Sequence, residues 1–336
     1  MILKPNQGST ASRKSVIIQG VPGIGKSTLA LSAPDPLIVI TDPSGWDRIP
    51  AHCRVGGRIE ANDYQEILDD LKPETVAEYQ TIIIDTGGSL INLMKAWVIR
   101  KNPKNGQSDG TTLTMRGYGA IKGEFASLVT MIREVLRKHF VITFHVKDEK
   151  DGDQTVYRLD CEGSTKADIW KPMDLGGFME TVGNKRTITF SPTDRYYAKG
   201  THGIEGTMEL PDVMKGHPND FLTTLFARID QNVAEEAALN EKYNAVMNQV
   251  RETVAGITNA KTANEAREKF KAMDHVYGSL MEARHLFSQK VTELGLKFDR
   301  EADKIVSATK EAKQDKEPET EHTEEAGEDE SQLELG

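Results

Sequence analysis

The sequence has no apolar stretch approaching the roughly 20 residues that a membrane-spanning helix requires. Met1 to Ser15 also contains no apolar run of the secretory-signal kind. These absences predict a protein that does not span a membrane, is not exported and works in the cytoplasm. Cysteine is scarce: Cys53 and Cys161 are the only two, far apart, with no cysteine or histidine at metal-ligand spacing. That excludes a zinc cluster and a disulfide framework, and predicts reduced thiols. A basic surplus is missing too, although the net charge of −10 is unevenly placed. Eleven acidic residues against Lys313 and Lys316 give Glu311 to Gly336 a local charge of −9, which leaves −1 over the other 310 residues. A nearly neutral body still has room for a basic stripe, so nucleic acid is not excluded as a partner. The acidic end has almost no large apolar residues, and 307–336 is predicted to be a disordered tail. Two readings fit that tail: a solvated terminus, or a segment that competes with nucleic acid for basic sites or docks a partner protein.

Against this background one motif stands out. Gly20-Val21-Pro22-Gly23-Ile24-Gly25-Lys26-Ser27-Thr28 is a complete G-x-x-x-x-G-K-[ST] phosphate loop, after the apolar run Ser15 to Gln19 and before Leu29-Ala30-Leu31. A strand delivers the chain to a tight turn, the glycines let backbone amides wrap a phosphate, and the start of a helix adds its positive dipole end. Lys26 is then placed for the β- and γ-phosphates and the Ser27 hydroxyl for Mg2+.

Two further apolar runs end in carboxylates: Pro36 to Ile40 followed by Thr41-Asp42, and Tyr79 to Ile84 followed by Asp85. Both read as buried parallel strands. Ile82-Ile83-Ile84-Asp85-Thr86 has the form of a Walker B strand, whose aspartate orients the Mg2+ shell. Asp42 reads either as a carboxylate that polarises an attacking water or as the start of a turn, Asp42-Pro43-Ser44-Gly45. Helices are expected near Ser89–Arg100 and Tyr118–Lys138, then a strand from His139 to His145. His145 fits a γ-phosphate sensor or a histidine bonded to a loop. The alternation of strand and helix from a phosphate loop onward predicts an α/β fold: a P-loop NTPase with a mostly parallel sheet, the ligand at the carboxyl ends of its strands.

The segment Lys101 to Gly119 is long, polar and glycine-bearing. It reads as a solvent loop or, through Lys101, Lys104, Arg116 and Tyr118, as a contact for a single-stranded backbone and one stacking base. After His145 the pattern turns to antiparallel hairpins, with Gln154–Leu159 and then Gly177–Val182 paired to Lys185–Phe190 at one edge of the sheet. These carry Arg195, Tyr196, Tyr197 and Lys199 toward a loop ending at Gly203. Lys199 is a surface lysine or a finger reaching a neighbouring subunit's nucleotide. From about Asn232 the chain is helical, with segments at Glu235–Ala255, Ala263–Ala272 and His275–Leu294 and a capping box expected at Thr262 and Glu265. Basic residues between Lys242 and Arg300 are interspersed with glutamates, the pattern of a solvated, salt-bridged face. The predicted divisions are a flexible start at 1–13, a core at 14–230, a small α-helical unit at 232–306 and the tail at 307–336.

The blocks SVIIQGVPGIGKSTLALSAPDPLIVITDPSG, YQTIIIDTGGSL, HFVITFHVKD and NKRTITFSPTDRYYAKG, in that order, resemble phage-encoded RecA-like nucleotide-binding proteins. Those are often labelled AAA-domain ATPases, and some serve as single-strand annealing recombination proteins. The resemblance implies ATP and Mg2+ at Lys26, Ser27 and Asp85, γ-phosphate sensing at His145, and Lys199 as a finger acting in trans. It further implies a homo-oligomer, single-stranded DNA as partner and, for a phage protein, the host cytoplasm. One departure stands out: RecA-type recombinases usually carry a glutamate after the second core strand, where this chain has Asp42. The shorter carboxylate predicts slow turnover. A helicase or helicase loader and a nucleotide-gated annealing module with little hydrolysis are the alternative functions. A small-molecule kinase fits less well, because there is no arginine-rich lid after the Walker B strand.

Overall fold

The computed structural model describes residues 13–42, 45–152, 154–161 and 165–307. The expected flexible start up to residue 12, Pro43 and Ser44 of the expected turn, and the acidic tail from residue 308 lie outside the described residues. The chain divides into two compact units, whose described parts are 13–233 and 234–307.

The first unit is built on a nine-stranded sheet. Its elements run β1 (Ser15–Gly20), α1 (Lys26–Ala30), β2 (Pro36–Ile40), β3 (Gly57–Glu60), α2 (Tyr64–Asp70), β4 (Thr81–Asp85), α3 (Gly87–Lys101), α4 (Met115–Thr130), β5 (His139–Asp151), β6 (Gln154–Leu159), α5 (Thr165–Trp170), β7 (Leu175–Val182), β8 (Lys185–Thr189), β9 (Thr207–Glu209) and the start of α6 (Phe221–Ala255). The strand order is β3-β2-β4-β5-β1-β7-β8-β9, with β6 paired to the outer half of β5. Strands β3 through β7 in that order run parallel, and β8, β9 and β6 run antiparallel to their neighbours. This is the mixed α/β architecture expected from the sequence, with β5 lying between the phosphate-loop strand and the Asp85 strand.

The central strands are continuous apolar runs because both faces are covered. Ile17, Val39, Ile82, Ile84, Ile142 and Phe144 face a core shared with α2, α3 and α4, whereas Val16, Ile18, Ile38, Ile83 and Val141 face one shared with Leu29, Leu222 and Phe226. Burial at this level, at about 1.5–3 kcal/mol for each large side chain, fixes the strand ends and therefore where the loops emerge.

Several boundaries differ from expectation. The hairpin expected at Gly177–Val182 has its first strand, β7, within the parallel set, paired to β1 through Val16↔Leu175 and Gln19↔Phe178. Helix α4 starts at Met115, so Arg116 and Tyr118 belong to a helix, and Tyr118 packs against the core. The connection before α4 is pinned locally: Asn105 is buried with its amide donating to the Val98 carbonyl, the Asp109 carboxylate accepts from the Thr111 and Thr112 amides, and Thr114 caps α4. The Lys101 ammonium lies 4.7 Å from the Trp97 ring centroid. Residues 102–114 thus form an exposed loop, as expected, but an internally hydrogen-bonded one, and the Tyr118 ring expected for stacking packs against the core instead.

The second unit contains the end of α6, α7 (Ala260–Ala272), α8 (Ser279–Glu293) and a hairpin of β10 (Leu296–Asp299) and β11 (Lys304–Ser307). Its core is formed by Met247, Val250, Phe270, Phe287 and Ile305, among others. The capping box is at Asn259, whose carboxamide accepts from the Lys261 and Thr262 amides, so Thr262 is the third helical residue and not the cap. Arg267 also departs from the solvated-face reading: it is buried, donates to the Asp303 carbonyl at 2.7 Å and carboxylate at 2.6 Å, and lies over Phe298. Among the described residues, no helix is long and apolar enough to cross a membrane.

Candidate functional site

Strand β1 ends at Gly20, and the chain turns through Gly23 (φ 81°) and Gly25 (φ 103°) into α1. Both dihedrals are in the left-handed region that a Cβ disfavours, which leaves the loop amides able to face one concave side. Position 25 is restricted twice, because a Cβ there would lie 2.7 Å from Nη1 of Arg186. Arg186 comes from β8, far along the chain, and lays its guanidinium against the phosphate loop.

Lys26 is the centre of the site. It is only 4% exposed, and its ammonium donates to the carbonyls of Gly20 at 3.0 Å and Val21 at 2.9 Å, with Nδ1 of His145 at 3.1 Å. Burial lowers its pKa from 10.5 to about 8, although the nearby charge of Asp85 acts in the opposite direction. Ser27 follows, half-buried, in the first turn of α1, and the Thr28 carbonyl accepts from Asn219 at 2.9 Å, which anchors that turn.

The parallel register of β1 and β5 sets Gly20 opposite His145, which brings the imidazole to the lysine. The pKa of His145 lies below the ordinary value, first through burial and then through Lys26, while Asp85, Asp160 and Asp42 act upward. The ring is therefore neutral near pH 7. With an ammonium on Nδ1, its one proton is on Nε2, which leaves that nitrogen as a donor.

Asp85 ends β4 and is 3% exposed. Thr143, on β5, donates to Oδ1, while a Cβ at Gly45 would lie 3.6 Å from Oδ2. One carboxylate oxygen is thus fixed, and the other faces the turn after β2. Thr41 fastens β2 to β4: its amide donates to the Asp85 carbonyl at 2.9 Å and its hydroxyl bonds both the carbonyl and the amide of Thr86 at 2.9 Å. Asp42 is the next residue, and its carboxylate pairs with Arg48 at 3.7 Å with its side chain 34% exposed.

The residues expected at the site from the sequence thus separate. Lys26 and His145 are in contact, Asp85 and Asp42 are close enough to influence their protonation, and Ser27 is adjacent in the chain. Lys199 is elsewhere: its ammonium donates to the Met173 carbonyl, and its backbone exchanges hydrogen bonds with Gly176. Thr143, Asp160 and Arg186 escaped the sequence reading, because strand pairing and not a motif brings them here.

Among the described residues no cluster of three or more histidine, cysteine, aspartate or glutamate side chains could hold a metal ion. One buried carboxylate and one hydroxyl instead suit Mg2+, which takes few protein ligands and completes its shell with water and phosphate oxygens. A buried cation resting on loop carbonyls, two left-handed glycines and a second cation against the loop suit a polyphosphate.

A parallel sheet, a phosphate loop at the end of its central strand and an aspartate two strands away define a P-loop nucleoside-triphosphate-binding domain. The match of an AAA domain family model to residues 12–202, more than half of the chain, agrees with this geometry: the chain belongs to the AAA domain family. Comparison with curated proteins gives no match.

Proposed function

We propose that the protein binds Mg-ATP at the phosphate loop, hydrolyses it slowly and uses that cycle to act on single-stranded DNA, in the recombination, repair or replication of a phage. The observation that carries the nucleotide half is the convergence of Lys26, at the start of α1 after β1, with His145 in the middle of β5 and Asp85 at the end of β4, on three adjacent strands of the sheet. The DNA and phage half is supported by the order of the sequence blocks.

In this reading Lys26 leaves the Gly20 and Val21 carbonyls and moves onto the β- and γ-phosphates, while the amides from Gly23 to Ser27 wrap the anion. Ser27 and Asp85 would hold Mg2+, which would supply positive charge against that developing on the phosphates. Thr143 keeps Asp85 in one rotamer. Arg186 supplies a second positive charge in cis at the loop. The Nε2–H of His145 donates to a γ-phosphate oxygen and loses that partner on hydrolysis, the elementary act of a sensor. Asp42, released from Arg48, orients the water. Lys199 acts on a neighbouring subunit's nucleotide after leaving the Met173 carbonyl, in a homo-oligomer, and the acidic tail restrains DNA binding or docks a partner protein.

The pairing of Asp42 with Arg48 favours one other reading, a nucleotide-gated annealing or binding module with little hydrolysis, since a short carboxylate held by an arginine is a poor base. ATP hydrolysis by the full chain and by a chain ending at Lys310, each with and without single-stranded DNA, separates the two. Stimulation by DNA supports the coupled ATPase, and a further rise on truncation identifies a self-inhibitory tail. Near-zero rates in all four conditions despite tight Mg-ATP binding support the gated module. Unwinding of a tailed duplex would instead identify a helicase.

A further inference from the structure

A cavity of about 690 Å3 opens beside the carboxyl end of β1 and includes Gln19, Tyr157, Trp170 and Tyr197 in its lining. We propose that this cavity receives one unstacked base of a single nucleic-acid strand, with the flanking phosphates on Arg158 and Arg195. The proposal rests on the reading that the protein acts on single strands, and it assigns that role to residues other than the 101–119 segment.

The aromatic groups have different parts. Tyr196 is stacked on Phe178 at 4.0 Å and 3°, so its face is used and it forms a fixed wall. Tyr197 is 49% exposed and meets Trp170 edge-on at 4.6 Å and 74°, an arrangement that braces the tyrosine and leaves a ring face open. An exposed, braced ring is a stacking platform that costs little order on binding. The volume falls within the roughly 300–1,000 Å3 of small-molecule sites, ample for a base.

The charges fit a phosphate chain. The Arg158 guanidinium donates to the Tyr157 carbonyl at 3.2 Å and the Arg195 guanidinium to the Tyr157 hydroxyl at 3.4 Å, so each has further N–H donors to offer a phosphate. Lys171 is already paired with Asp168, and Glu149 and Asp194 also line the cavity, so attraction is moderate and stacking carries much of the affinity. A second recess of about 570 Å3 shares Thr193 and Asp194 with the first and adds Arg195, which lies 5.4 Å from the Tyr157 ring centroid. Two adjoining recesses with cations along them suit a polymer better than a free nucleotide. Gln19 connects this place to the phosphate loop: its carboxamide donates to the Tyr197 carbonyl, and the next residue, Gly20, accepts from Lys26.

The test is anisotropy of a fluorescein-labelled oligothymidylate titrated with the full chain, together with tryptophan emission. Tyr197→Ala is expected to weaken binding about tenfold, the loss of one base stack, with Tyr197→Phe within about twofold of wild type. Mg-ATP affinity stays unchanged in both variants, which confirms an intact fold. Strand binding quenches tryptophan emission, and Trp170→Phe removes that quenching while strand binding persists. Unchanged strand affinity in Tyr197→Ala overturns the site and leaves the single-strand reading standing. Thymidine monophosphate binding as tightly as the strand overturns the polymer assignment in favour of a free-nucleotide site. No strand binding under any nucleotide condition overturns both the site and the reading.

Discussion

Lys26 gives the nucleotide site a proton inventory that can be measured. Its pKa falls from 10.5 to about 8 because the ammonium is buried, a difference of about 3 kcal/mol between its charged and neutral forms. A triphosphate brought against it favours the charged form, so binding above pH 8 must draw a proton from solution. At pH 8 about half of the lysines are neutral and about 0.5 proton is taken up per nucleotide; at pH 9 the uptake rises to about 0.9. Affinity then falls by up to about tenfold for each pH unit above 8. The phosphate itself adds little there, since a phosphate monoester's second pKa is near 6, and His145, already lowered, is neutral throughout. Calorimetric titration of Mg-ATP in two buffers of different ionisation enthalpy, at pH 7, 8 and 9, reads the uptake directly. Lys26→Arg, charged at every accessible pH, should abolish it wherever binding survives. Binding that persists at pH 9 with no buffer dependence and undiminished affinity would refute the reasoning.

Other perturbations probe the surrounding structure. Gly25→Ala forces a Cβ into left-handed backbone and against Arg186, and should lower Mg-ATP affinity at least about tenfold while costing only about 1–2 kcal/mol of stability in the free protein. Arg186→Ala, measured by steady-state hydrolysis, should reduce turnover about tenfold or more if the guanidinium supports the phosphates, and leave it unchanged if it only packs. Gly87→Ala places a Cβ 2.1 Å from the Phe144 ring and should cost about 1–3 kcal/mol in denaturant unfolding. His139, buried with Nδ1 accepting from the Lys14 amide, has its pKa lowered from 6.5 to about 4 by burial. The unfolded chain binds that proton more readily, so stability is full above pH 6.5 and declines by up to about 3 kcal/mol as pH falls to 4, a slope that His139→Gln should flatten.

What the sequence showed and what it hid follow from where the information lies. Strands β1, β2, β4 and β5 were legible because each is an unbroken apolar run buried on both faces. Strand β3 was not, since Gly57-Arg58-Ile59-Glu60 is an edge strand with alternating exposure and too few apolar residues to register. Helix α2 does carry a local signal, the Asp63 and Glu66 capping box. The phosphate loop and Asp85 are local motifs and could be placed from spacing alone. Arg186 meets the loop from a distant strand, and the aromatic cavity assembles from β6, α5 and the 193–199 segment, so no window of sequence contains either. In the 101–119 segment the exposed loop was legible from its polar composition, but not the local bonds of Asn105, Asp109 and Thr114 or the helix start at Met115 that takes Tyr118 onto the core.

A Mg-nucleotide site between the phosphate loop and Asp85 underlies every step proposed for this protein. Equilibrium binding of ATP across a Mg2+ titration, for wild type and Asp85→Asn, tests it most directly. Affinity should rise with Mg2+ in the wild type, and the carboxamide variant should lose most of that dependence while remaining folded. Binding of ATP that is indifferent to Mg2+, or an Asp85→Asn titration that overlays the wild type, would contradict the account.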